Sequence, residues 1–167
     1  MALHAGAGVA AAIVLAGGLA ACAPHDDLVF FSPDDAKMNA AIAQARETLP
    51  IFWARVDAQD PAVSDVLVKV GLPNTHDSLE HIWMTVEGHS ALAVRGRLAN
   101  YPTDMPKLHY RDEISVETSK ISDWAYTKAG KQYGGFTLRA MLDSAKPDDR
   151  RELEQTLAPT PLEPEQH

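Results

Sequence analysis

The strand pattern of this chain is set by VLVKVGL at 66–72 and HIWMTV at 81–86. In the first stretch, apolar Val66, Val68 and Val70 alternate with Leu67 and Lys69. In the second stretch, Ile82, Met84 and Val86 alternate with His81, Trp83 and Thr85. A period of two with many β-branched residues is typical of β-strands. The two stretches therefore predict the central strands of a sheet.

Further strand signals follow these two stretches along the chain. The run from Leu92 to Leu98 predicts a third strand, with a bulge or bend at Gly96. The pair Ile114 and Val116 marks a fourth strand. Trp124 to Thr127 and Gln132 to Met141 predict a hairpin that turns at Ala129-Gly130 and is kinked at Gly134-Gly135.

Helices are predicted on both sides of the strand region. Ser32 is the expected cap of a first helix with Pro33 in its first turn, and Pro50 ends or kinks this helix near Thr48. The helix has an apolar stripe, and the positions that form it are Met38, Ile42, Ala45 and Leu49. Phe52 and Val56 continue the stripe into a second short turn, and Asp57 to Asp65 is expected to be a loop. A short C-terminal helix is predicted at Lys146 to Leu157.

These elements predict an α+β fold. An N-terminal helix would pack on a curved antiparallel sheet or a small open β-barrel, with the short helix at the C-terminal end. One domain over residues 32–158 accounts for the sequence pattern. The tail at 159–167 contains three prolines between Pro159 and Pro164 and few apolar residues, so we expect it to be disordered.

The first residues of the chain predict a lipid anchor. Val9 to Leu19 is an apolar and glycine run that suits a signal peptide and is too short to span a bilayer. It leads into Leu19-Ala20-Ala21-Cys22, which resembles a bacterial lipobox, and Cys22 is the only cysteine in the chain. We therefore expect a signal peptide at 1–21, lipidation of Cys22 and a tether at 22–31. Because Ala23 rather than aspartate follows the cysteine, similarity to enterobacterial sorting indicates the outer membrane, with the domain in the periplasm.

Composition excludes some function classes. The formal net charge is −8, so the surface should repel phosphate backbones, and a nucleic-acid partner is not expected. The histidines at positions 76, 81, 89 and 109 match no metal-ligand spacing, and no thiolate partner lies in the predicted domain. Glycines 130, 134 and 135 form no phosphate-binding pattern. The sequence predicts neither a metal nor a cofactor.

Four residues are candidates for a binding site: His81, Trp83, Asp123 and Trp124. The two tryptophans could stack a ligand, but buried anchors of a small β-core are the more common use of such residues. Glu80 and His81 could serve as an acid–base pair only if they met, and adjacent strand residues point to opposite faces. The sequence alone leaves these alternatives open.

Several segments taken together resemble the YegJ-like family of uncharacterised bacterial proteins, domain of unknown function 2314. The segments that carry the resemblance are Val68-Lys69-Val70, Glu80-His81-Ile82-Trp83, Gly96 with Asn100-Tyr101-Pro102, Ile121-Ser122-Asp123-Trp124 and Gly134-Gly135-Phe136-Thr137-Leu138-Arg139. The resemblance extends over about Asp35 to Leu142. It implies no activity or catalytic residue, but it supports a single domain in an envelope setting.

Three functions stay open on this basis. The favoured one is a lipid-anchored periplasmic binding module whose partner is an envelope protein, a toxin or cell-wall material. The second is a cell-envelope hydrolase that uses His81, Glu80 or Asp123 in a site assembled by the tertiary structure. The third is a structural lipoprotein.

Overall fold

The structure, a computed structural model, describes residues 35–164. The helices are α1 (Ala36–Glu47), α2 (Leu49–Asp57), α3 (Phe136–Met141) and α4 (Pro147–Thr156), with a 3-10 turn at Thr118–Lys120. The strands are β1 (Val63–Pro73), β2 (Leu79–Thr85), β3 (Gly88–His89), β4 (Ala93–Arg97), β5 (Glu113–Glu117), β6 (Ile121–Lys128) and β7 (Lys131–Gly134). The predicted α+β class, with an N-terminal helix and a short C-terminal helix, is confirmed.

The first two helices follow the apolar stripe, but α1 starts later than predicted. Asp35, not Ser32, is the N-cap of α1, and its carboxylate accepts a hydrogen bond from the Met38 amide at 3.0 Å. Ser32 lies outside the described residues. Pro50 stands in the first turn of α2, where its missing N–H costs nothing, so the chain restarts as a second helix after Thr48.

The larger sheet is antiparallel and has the strand order β2-β1-β6-β7. In its β1–β2 register, Val68 pairs with Met84 and Val70 pairs with Ile82, and all four side chains are buried. The period of two in the sequence therefore marks the core face of this sheet, as predicted. β1 begins earlier than predicted, at Val63, within the stretch expected to be a loop.

A second antiparallel sheet, of order β3-β4-β5, packs beside the first. Met84 and Leu98 form a bridge between the two sheets, and the Ala99 amide donates to the Trp83 carbonyl at 2.8 Å. A Cβ at position 96 would lie only 1.6 Å from the Thr85 carbonyl oxygen. Gly96 is therefore needed for this close approach and not for a bulge, since the β4–β5 register runs through it without a shift. The sheets do not close into a barrel.

The hairpin prediction is correct for β6 and wrong for the far end of its second arm. β6 and β7 pair in register and turn at Ala129-Gly130, but β7 ends at Gly134. Gly134 and Gly135 adopt φ values of 74° and 63°, a left-handed conformation that ends the strand. The residues expected to continue the strand form helix α3 instead.

The predicted disorder of the tail is wrong for residues 159–164. The Gly134 amide donates to the Pro161 carbonyl at 2.7 Å, and the Ala158 amide donates to the Gln132 carbonyl at 2.8 Å. Tyr126 donates to the Glu163 carboxylate. Because these bonds run along β7, the tail occupies the edge of the sheet that would otherwise be open.

The core lies where the two sheets meet α1 and α2. Its largest fully buried side chains include Trp124, Phe52, Met84 and Leu98. Phe52 from α2 stacks on Trp124 from β6 with ring centroids 5.2 Å apart. This contact fixes the helical pair against the strand that carries Asp123.

Candidate functional site

Three of the four predicted site residues, His81, Trp83 and Asp123, lie on the same face of the larger sheet. In its register, Lys69 of β1 stands opposite Trp83 of β2 on one side and Asp123 of β6 on the other. Directly paired residues of antiparallel strands share a face, so these three side chains form a row across the sheet. Two residues further along β2, His81 stands opposite Gly71. We call the accessible part of this face, formed by Leu79, His81 and Trp83, the β2 face.

His81 reaches across β1 to the third strand. A Cβ at Gly71 would lie 3.2 Å from the His81 Cε1 atom, so the absence of a side chain there makes room for the imidazole ring. The His81 Nδ1 atom lies 2.8 Å from the Ser122 hydroxyl oxygen. Ser122 is completely buried, and its hydroxyl also donates to the Lys69 carbonyl at 3.3 Å. His81 keeps part of its side chain exposed, but the covered part of the ring disfavours its charged form and is the main cause of its lowered pKa; nearby Lys69 and Arg46 lower this pKa further.

Asp123 connects β6 to the start of α3 through hydrogen bonds. Its carboxylate accepts hydrogen bonds from the backbone amides of Trp124 (2.8 Å), Phe136 (3.1 Å) and Thr137 (2.8 Å), and from the Thr137 hydroxyl (2.6 Å). Burial raises the pKa of Asp123, and the bonds from Thr137 and Trp124 and the charge of Lys69 oppose that rise. With no exposed surface and four donors, the carboxylate is committed to holding α3 in place.

Lys69 completes the polar interior of this region. Its Nζ atom donates to the Thr137 hydroxyl at 3.3 Å and lies 5.5 Å from the centroid of the Trp83 ring. Burial lowers the pKa of this amine, and Asp123 counteracts the shift. Sequence reasoning missed Lys69 as a site residue. The local pattern gave no signal, because a lysine that alternates with core-facing valines usually lies on the solvent face of a sheet.

Ser122, Thr137 and Arg46 were also missed by sequence reasoning. The Arg46 Nε atom donates to the Ile121 carbonyl at 2.8 Å, across 75 positions of the chain. Nothing in the local pattern of α1 indicates that contact. Ser122 lies within the Ile121–Asp123 segment, and only the tertiary structure brings Arg46 to Ile121 and Thr137 to Asp123.

The two tryptophans differ in their surroundings. Trp124 is completely buried, and its Nε1 atom donates to the Ala45 carbonyl at 3.0 Å. Trp83 is only half-buried, unlike the buried core anchor that is the more common use of a strand tryptophan. Trp124 is therefore an anchor of the core, whereas Trp83 keeps part of its ring accessible on the β2 face.

Glu80 points away from the β2 face. Its two carboxylate oxygens accept hydrogen bonds from the amides of Thr103 (2.9 Å) and Asp104 (3.0 Å), which fixes the loop that follows β4. Glu80 and His81 do not pair, as the alternation of a strand requires. Each of the three acid–base candidates thus has a structural partner of its own.

The other three histidines within residues 35–164 pair separately with single aspartates. His89 stacks on Trp53 with centroids 4.1 Å apart and lies 2.9 Å from the Asp57 carboxylate. His76 and His109 approach Asp104 and Asp112 at 3.5 and 3.3 Å. Within residues 35–164, no three histidine, cysteine or acidic side chains are grouped closely enough to hold a metal ion.

One open depression of about 310 Å³ lies away from the predicted site. It is lined by Arg55, Val56, Gln59, Asp60, Pro61, Val63 and Val66. None of the four candidate binding residues predicted from the sequence lines it.

The predicted lipidation site, Cys22, lies outside the described residues. Over the part of the chain that the structure covers, none of the helices has the length and apolar character needed to traverse a bilayer.

Comparison with known proteins identifies the family. Residues 35–158 match the model of an uncharacterized protein family conserved in bacteria, DUF2314, and the chain belongs to this family. It is 29% identical over 132 residues to the uncharacterized protein YegJ of Escherichia coli K12, covering 79% of this chain and 84% of that protein. It is also 27% identical over 135 residues to a putative ankyrin repeat protein of Neisseria meningitidis serogroup B, covering 76% of this chain and 53% of that protein. No solved structure matches the chain.

Proposed function

We propose that this protein is a lipid-anchored binding module of the bacterial cell envelope. Acyl chains on Cys22 hold it at the outer membrane, and the domain faces the periplasm. Its partner is an envelope protein or a cell-wall component. The leader and the Leu19-Ala20-Ala21-Cys22 sequence support the anchor.

One observation carries the binding role: the β2 face is accessible and mixed in character. Leu79 is 54% exposed, although a strand residue of its size is usually covered. His81 is exposed beside it, and Trp83 offers part of its ring. An aliphatic side chain, an imidazole and an indole on one rigid strand suit the recognition of a partner.

The alternative, a cell-envelope hydrolase, has weaker support. The one feature that favours it is the short contact between His81 and the Ser122 hydroxyl. A nucleophile must be reachable by substrate, however, and Ser122 has no exposed surface. The carboxylates of Glu80 and Asp123 are likewise bound to backbone amides.

The anchor is tested by metabolic labelling of the full chain in a bacterial host. Radiolabelled palmitate should enter the wild-type protein and be absent from Cys22→Ser, which should also accumulate with its leader uncleaved. A conservative change at an uninvolved position, Ser90→Ala, is the control for expression. Persistent labelling of Cys22→Ser would show that another residue is acylated, and a wild-type protein without label would show that the anchor is absent.

The binding role is tested by site-specific photo-crosslinking in the same host. A photoreactive amino acid at position 79 should give one discrete crosslinked product in the envelope fraction. Position 92 is the matched control, because Leu92 is 82% exposed but lies at the turn between β3 and β4. Equal products from both positions, or none from position 79, would remove the β2 face as the binding surface. Release of soluble fragments from purified cell wall, lost in His81→Gln, would favour the hydrolase instead.

A further inference from the structure

Three basic side chains converge on the Ile121–Asp123 segment of β6. Arg46 comes from α1 and bonds the Ile121 carbonyl at 2.8 Å. His81 comes from β2 and contacts the Ser122 hydroxyl at 2.8 Å. Lys69 comes from β1 and pairs with Asp123 in the sheet register. We call these three residues the basic cluster.

The carboxylate within this segment does not neutralise the whole cluster. Asp123 is completely buried, and its oxygens already accept four hydrogen bonds from Trp124, Phe136 and Thr137. It faces Lys69 inside the protein and cannot turn toward solvent. The charge of Lys69 is thus balanced inside the protein. The exposed guanidinium of Arg46, in contrast, has no carboxylate partner among the described residues.

Arg46 differs in this respect from the two arginines of the small sheet. Arg95 and Arg97 are each paired with both Glu87 and Glu113 across the small sheet. Arg46 forms no ion pair with any carboxylate among residues 35–164, and the one bond of its guanidinium there is from Nε to a backbone carbonyl. Its two Nη groups are therefore free to accept a planar anion in the fork geometry that guanidinium favours.

We propose that the basic cluster binds an anionic group, a carboxylate or a phosphate, on a ligand whose apolar part rests against Leu79. Arg46 and His81 are both exposed and contact the anion, whereas the charge of half-buried Lys69 is already balanced by Asp123 inside the protein. This inference rests on the proposed binding role and gives the chemical class of what is bound.

The surroundings of the cluster favour a local rather than a general attraction for anions. The chain carries a formal net charge of −8, so most of its surface repels them. Burial is the main cause of the lowered pKa of His81, and the charges of Lys69 and Arg46 lower this pKa further. A bound anion would offset the effect of these two charges and so raise the pKa of His81.

The test is an NMR titration of the full chain in detergent micelles, with ¹³C at the histidine Cε1 positions. Acetate and inorganic phosphate are the probes, and the His81 signal is assigned from its loss in His81→Gln. A saturable shift of this signal, together with a higher pKa for His81 in the bound state, supports the proposal. Saturation by acetate alone indicates a carboxylate ligand, and saturation by phosphate alone indicates a phosphate. A shift that rises linearly with either salt, as expected from ionic strength only, would overturn it.

Arg46→Gln is the decisive variant. Loss of a charge-assisted contact should weaken the apparent affinity about tenfold or more. Arg95→Gln is the matched control, since Arg95 is also exposed but already paired, and it should leave the affinity unchanged. Arg46→Lys keeps the positive charge but not the fork geometry, so its anion affinity should fall between those of these two variants. It also controls for a folding defect in Arg46→Gln, because a partial loss of affinity that follows the charge is not expected from misfolding. Equal affinities for Arg46→Gln and the wild type would refute the cluster as the anion site. Crosslinking from position 79 would then still stand, so failure of this inference is distinguishable from failure of the binding role.

Discussion

Tyr126 donates its phenolic proton to the carboxylate of Glu163 over 2.8 Å and so ties the C-terminal segment to β6. The same carboxylate accepts from Lys128 at 3.0 Å and lies 3.4 Å from the Arg55 guanidinium. Glu163 is only 10% exposed, so these contacts are largely shielded from solvent. The segment after α4 is therefore part of the folded domain.

Removal of the Glu163 carboxylate should destabilise the domain. Glu163→Ala leaves the Tyr126 hydroxyl and Lys128 without this acceptor, and we expect a loss of about 1–3 kcal/mol. Truncation after Ala158 should cost more, because the Gly134 amide also loses the Pro161 carbonyl. The measurement is urea unfolding of each variant. Glu154→Ala, an exposed position on α4, is the control and should change stability by less than about 0.5 kcal/mol. An unchanged midpoint for the truncated chain would mean that the tail contributes nothing to stability.

In a pH titration of the tyrosines, one residue should ionise at unusually high pH, and we call this step the late phase. Burial raises the pKa of Tyr126 well above its usual value, and the Glu163 carboxylate adds to this by disfavouring the phenolate. The folded state thus holds this proton more tightly than the unfolded state, and stability should fall as the pH rises above about 10. Absorbance at 295 nm follows the ionisation of the four tyrosines. Tyr126→Phe should remove the late phase and weaken the loss of stability at high pH. A late phase that survives in this variant would belong to another tyrosine.

The sequence was informative where a residue's role depends on its neighbours along the chain. The alternation of valines in β1 predicts the core face, and Pro50 predicts the break between α1 and α2. It was uninformative where the role depends on a distant partner. The apolar residues after Gly135 fit a strand as well as a helix, and only the bonds from Phe136 and Thr137 to Asp123, 13 and 14 residues away, select the helix.

The tail and the candidate site illustrate the same limit. Three prolines and few apolar residues are a composition typical of disorder, yet prolines also lie readily along a sheet edge, where the missing N–H is not needed. His81 and Asp123 were recognised as candidates, but their partners were not. Ser122 and Thr137 became visible only when β1, β6 and α3 were placed beside one another.

The two tryptophans should respond differently to truncation. Trp124 is completely buried and stacks on Phe52, so Trp124→Ala should cost about 3–5 kcal/mol and give little soluble protein. Trp83 is half-buried, so Trp83→Ala should cost less, about 1–2 kcal/mol, and leave a folded domain. Thermal unfolding followed by far-UV circular dichroism measures both. A Trp83→Ala variant as unstable as Trp124→Ala would show that Trp83 is a core anchor and is not available to a ligand.

Asp123 should be more important for stability than for binding. Asp123→Ala removes the acceptor of four hydrogen bonds and leaves the Lys69 ammonium without a counter-charge inside the protein. Buried donors left without an acceptor, together with the loss of this counter-charge, should cost about 3–5 kcal/mol. Thr137→Val removes one of the four donors while keeping the side-chain shape, and should cost about 1 kcal/mol. Urea unfolding gives both values, and amide hydrogen exchange at Phe136 and Thr137 reports the start of α3 directly. Wild-type stability and protection in Asp123→Ala would mean that α3 is held by its apolar contacts alone, and the lysine–aspartate pair would then need a functional explanation.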